Sequence, residues 1–93
     1  MTDGQQERLD ALRAMAAESS QLALIEYPAR LIASEALLRQ CDVVQREAES
    51  LAMLCDLITA VNVDAVLPAA EEMSRSLQRK TSQLVWSIAG EGI

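Results

Sequence analysis

Leu37, Cys41, Val44, Ala48, Leu51, Cys55 and Ile58 recur at alternating intervals of four and three residues, and Asn62 stands at the next position of the series. Side chains so spaced form one stripe along an α-helix and wind it against a neighbour. A strand would scatter them over both of its faces. A second apolar row runs beside the first: Ile32, Ala36, Val43, Leu54 and Val61. At about 100° per residue the two rows cover well over half of the circumference, so the segment must touch neighbours on two sides. The seam therefore predicts a long central helix over 29–61 and an all-α fold built around it.

Shorter stripes flank it. Leu9, Leu12, Ala16, Ser19 and Ala23, with Met15 and Leu22 at one shoulder, predict a first helix over 3–26 capped by Thr2 or Asp3. Ala70, Met73, Leu77, Thr81, Leu84 and Ile88 predict a third over 65–89, with Pro68 in its first turn, Glu71 and Glu72 near its positive end, and Gly90 as its stop. The tail "EGI" then ends on an apolar residue. In "LIEYPARLI", Pro28 removes a backbone donor and pushes Tyr27 out of helical angles. That is either a tight corner, with Pro28 opening the second helix, or a kink in one continuous helix. The expected architecture is one domain spanning 1–93, a three-helix bundle with the middle helix longest.

The core materials are small. Phe is absent, Tyr and Trp occur once each, and the 51% apolar fraction comes from Leu, Ala, Val, Ile and Met. A chain of this length buries only about 60–65% of its unfolded surface, so a homodimer through the second helix would bury more. The expected interface is the seam itself: Leu37, Cys41, Val44, Ala48, Leu51, Cys55 and Ile58. The two cysteines lie about 21 Å apart along one helix and cannot bridge within it. Antiparallel pairing about Ala48 would set Cys41 against Cys55 of a second copy. The plainer alternative is two reduced thiols in a core.

A formal net charge of −6 and a sequence pI near 4.5 argue against a nucleic-acid binder and against docking on anionic membranes. With no histidine, no Ser-His-Asp or Cys-His arrangement can be drawn, and the commonest general base and transition-metal ligand are missing. The three glycines, Gly4, Gly90 and Gly92, form no phosphate cradle, and the cysteines lack zinc-type spacing. No enzyme, metal or cofactor is expected. "MTDGQQERLD" carries no apolar leader and no apolar run reaches the length of a membrane span, which sets the expected location in the cytoplasm. Seven arginines against one lysine, with abundant alanine, suggest a GC-rich bacterial or phage origin.

Two surface patterns remain. Glu35, Asp42, Glu49 and Asp56 recur every seven residues, interleaved with Arg39 and Arg46. The stripe reads as a solvated salt-bridge face, or alternatively as an acidic docking strip. In "SRSLQRKTSQLVWSIAG", Trp86 falls about 180° from Leu77 on a helical wheel, with Arg79 and Arg75 within about 20° of it. Charge is segregated as well, with five basic against thirteen acidic residues through Glu72 and three against one after it. Trp86 then packs against the first helix or the N-terminal segment, anchors a protein partner with Arg79 in a surface that includes Arg75, or belongs to the homodimer, where the arginines would meet the acidic stripe of the second helix. Trp and Arg are the residues that most often dominate interface energetics.

The expected function is that of a small, acidic, non-enzymatic protein-binding module: a stoichiometric inhibitor, regulator or adaptor. Two alternatives stand beside it. One is an acidic nucleic-acid mimic that blocks a basic groove on a defence or transcription protein. The other is a secretion-type chaperone.

Overall fold

In the computed structural model, which describes residues 1–92, the Thr2 hydroxyl accepts the Gln5 N–H at 3.1 Å while the Gln5 side chain accepts the Thr2 N–H at 2.9 Å. This reciprocal capping box opens α1 (Asp3–Leu22). A linker over 23–34 holds a one-turn helix, α2 (Ala29–Ile32), and leads into α3 (Glu35–Leu57); a short turn then leads into α4 (Val63–Glu91). Among the described residues there is no strand. Ile93, the apolar end of the tail, lies outside them.

The predicted second helix is therefore divided. Ala33 and Ser34 are extended, with ψ of 142° and 156°. The reason is local chemistry: the Ser34 hydroxyl caps α3 by accepting the Leu37 N–H at 3.1 Å, and the Ser34 N–H donates to the Glu91 carboxylate at 3.2 Å. A serine that satisfies an orphan donor this way favours a helix start over a helix interior. Pro28 precedes α2 rather than opening it, following a cis Tyr27–Pro28 peptide. The first helix likewise stops at Leu22, short of the predicted 26.

The far end of α3 stops at Leu57 rather than 61. The Asn62 amide donates to the Leu57 carbonyl at 2.9 Å and its side-chain oxygen accepts the Thr59 N–H at 2.7 Å. One side chain thus closes α3 and shapes the turn into α4. Replacing Asn62 with Ala should cost about 1 kcal/mol in urea unfolding, and an unchanged midpoint would show that water replaces both bonds.

In α4, the helix begins two residues earlier than the pattern implied, so Pro68 sits in its second turn, not its first. Gly92, with φ of 71°, ends it where Gly90 was the expected stop. Only a residue without Cβ adopts that left-handed geometry freely, whereas Gly90 lies inside the helix.

The three long helices pack mutually, in a bundle 47 Å long and 19 by 17 Å across. Cross-links give the direction. Gln5 bonds Asp64, Arg8 bonds Glu71 and the Ser19 and Thr81 hydroxyls meet at 3.2 Å, so α1 and α4 run parallel. Arg13 pairs with Asp56 at 3.6 Å and Lys80 with Glu47, and α3 runs antiparallel to both. The core holds Leu9, Leu12 and Ala16 of α1, the whole α3 seam, and Leu67, Ala70, Leu77 and Leu84 of α4. Among the described residues, no buried side-chain polar atom lacks a hydrogen-bond partner.

That core overturns the expected dimer interface. Leu37, Cys41, Val44, Ala48, Leu51, Cys55 and Ile58 are all buried within a single chain, facing α1 and α4. The heptad spacing is real, but the helices it joins belong to one molecule. Cys41 and Cys55 are free thiols, each pushed above the ordinary thiol range chiefly by burial. A buried thiol short of thiolate has no route to a second copy's cysteine. The second apolar row is broken too: Ile32 lies in α2 and Val61 in the turn after α3, and both are exposed.

Candidate interaction surface

Trp86 is 80% exposed, on the face of α4 opposite buried Leu77 and Leu84. Seven residues earlier, Arg79 is exposed on the same face and, among the described residues, forms no ion pair within 4 Å. Arg75 is exposed as well but is held by Glu72 at 2.7 Å, three residues away on its own helix. The α4 stripe therefore presents an uncovered indole, one unengaged guanidinium and one that is partly neutralised.

The acidic stripe has a different fate from the predicted salt-bridge face. Glu35, Glu49 and Asp56 are exposed and Asp42 is half-buried. None pairs with Arg39 or Arg46 within 4 Å; the ion pairs that form run mainly between helices, one for each packed pair. The Arg8 guanidinium bonds Glu71 through Nε at 3.0 Å and through Nη2, which holds the Glu71 carboxyl below its usual range. A carboxyl lowered this way stabilises the fold above its unfolded pKa, and the contribution is lost as pH falls through the lowered value. Both side chains reach solvent, which screens the pair.

Sequence reasoning missed two features of the surface. The linker and the adjoining helix ends leave Leu22, Leu24, Tyr27, Leu31, Ile32 and Val85 exposed, while Ala23 and Ile25 tuck into the core. Because α1 and α4 run parallel and both finish here, these residues gather at the Trp86 end of the bundle. Part of the signal was present in "LIEYPARLI", an apolar-rich stretch without Gly, Asn, Asp or Ser, although its proline was read only as a corner or a kink. The second feature is a shallow groove between α3 and α4, with room for about 280 Å³ and lined by Arg39, Gln40, Val43, Val44, Lys80 and Gln83. It unites residues from two separate stretches, and no spacing within either stretch reveals it. A comparable hollow between α1 and α3 is lined by small alanines together with Arg13, Glu49 and Asp56.

Among the described residues, no group of three or more His, Cys, Asp or Glu could hold a metal ion, and no helix is long and apolar enough to cross a membrane. No family model, no curated protein and no solved structure matches the chain at a significant level. The surface itself carries the functional argument.

Proposed function

We propose that this chain is a non-enzymatic protein-binding module, acting as a regulator, inhibitor or adaptor, and that it engages its target through the Trp86 end of the bundle. The observation that carries this reading is the 80% exposure of Trp86, with unpaired Arg79 on the same face and exposed aliphatic residues around the same end. An indole left in water is costly to solvate and gains most from a partner that covers it. The module belongs, on this proposal, in a reducing cytoplasmic compartment, in keeping with its two unpaired thiols.

The acidic-mimic alternative draws less support. Arg39 and Arg46 interrupt the stripe of Glu35, Asp42, Glu49 and Asp56, so that face lacks a uniform negative potential. The chaperone alternative requires an apolar groove along α3, whose seam is instead buried.

The test is comparative. A protein retained by the immobilised chain should be lost, about tenfold or more, when Trp86→Ala and Arg79→Ala are introduced together, and should survive moderate salt. A partner that tolerates both changes but is released by salt would favour the mimic. Trp86 fluorescence should also be red-shifted at every protein concentration. Emission that reddens only on dilution would assign this face to a homodimer.

A further inference from the structure

We infer that the linker between α1 and α3 is a self-association surface whose occupant is a second copy of this chain. This goes beyond the binding-module reading, whose anchors Trp86 and Arg79 lie on the α4 face opposite buried Leu77. It also differs from pairing through the α3 seam, which is buried within one molecule.

The linker carries its apolar side chains the wrong way round for a free surface. Ala29 and Ala33, four residues apart, pack against the core, while Leu31 and Ile32 face out. None of the four residues of α2 is buried. A one-turn helix has too few hydrogen bonds to hold itself and depends on packing, and a surface helix ordinarily turns its large apolar residues inward. Tyr27, Leu31 and Ile32 are each two-thirds exposed or more, and Leu22 and Leu24 about half. Together they show the area of about three large apolar residues, roughly 600 Å² at about 200 Å² apiece. Two copies joined here would bury about 1,200 Å² in all, which is where specific, stable interfaces begin.

Charge names the occupant. Glu26 and Arg30 are the only charged residues of 22–34, so the patch is neutral on a chain of net charge −6. The whole acidic excess lies outside the linker, and copies that meet there are spared its repulsion. The Arg30 N–H donates to the Glu26 carbonyl at 3.1 Å, which sets both residues on one turn. Both side chains are exposed, yet neither has an ion partner within 4 Å. In a two-fold interface a surface must complement itself, so that residue i meets j and j meets i. Two linkers laid antiparallel set Glu26 of each against Arg30 of the other, with apolar side chains meeting apolar side chains between them.

Sedimentation of the full-length chain through a micromolar dilution series tests this. The wild type should show a reversible dimer of twice the 10.1 kDa chain mass. Leu31→Asp with Ile32→Asp should raise the dissociation constant about tenfold or more, with helical circular dichroism unchanged because both positions are exposed. Arg30→Glu alone and Glu26→Arg alone should each weaken self-association, since each sets like charges together across the two-fold. Mixed in equal amounts, those two variants should restore a dimer, because every pair is then Glu against Arg. A wild type that stays monomeric throughout, a dimer indifferent to the change at 31 and 32, or a mixture no tighter than either variant alone would overturn the proposal. The first of these leaves the binding module standing. A dimer broken only by Trp86→Ala would sink both readings, by placing the second copy on the α4 face.

Discussion

Leu51→Asp is expected to abolish the folded state. Leu51 is 0% exposed on the inward seam of α3, between α1 and α4. Removing its side chain alone, as in Leu51→Ala, should cost about 2–5 kcal/mol from lost burial and the cavity left behind. A carboxylate there adds several kcal/mol more, because no basic residue is buried in the core to receive it. A domain of this size has about 5–14 kcal/mol of stability in total. The aspartate variant should therefore lose most of its helical circular dichroism at neutral pH, and the alanine variant should melt roughly 10–30 °C below wild type. A Leu51→Asp protein that kept a cooperative melt near the wild-type temperature would place the seam on the surface and restore the interface reading.

The second expected result is a contrast within one helix. Leu77→Ala, at a position with 0% exposure, should destabilise by about 2–5 kcal/mol in urea unfolding. Trp86→Ala removes a larger side chain yet should shift stability by no more than about 0.5 kcal/mol. The difference follows from the helical wheel: nine residues at about 100° each bring Trp86 to the side opposite Leu77, where it touches water instead of α1 or α3. If the two variants cost the same, Trp86 makes a buried contact and the proposed target surface disappears. If Trp86→Ala stabilises the chain slightly, the indole is a solvation burden in the unbound state, which strengthens the case for a partner.

Much of the fold was legible for one reason: repeated spacing records which side of a helix faces inward. The stripes of Leu9, Leu12, Ala16 and Ser19, of the α3 seam, and of Ala70, Leu77 and Leu84 all appear in the core. The outward aim of Trp86 follows from the same periodicity. Helix ends were less legible, because several candidate caps compete and the winner depends on distant groups. Ser34 starts α3 with help from Glu91, and Asn62 ends it through a side chain folded back five residues. The Ser34–Glu91 contact, which spans 57 residues, shows in no local window.

By itself, then, the sequence determined the class of the fold, the inward face of each long helix and the absence of histidine chemistry, since these depend on residue type and interval alone. Only the tertiary structure decided what the seam faces. A heptad stripe specifies that a helix needs a neighbour and is silent on whether the neighbour lies in the same chain, because burial lowers the free energy equally in either case. It was likewise the packing of the three helices that set Arg8 against Glu71, Arg13 against Asp56 and Lys80 against Glu47. Charges distant in sequence are sorted only when the helices carrying them are laid side by side.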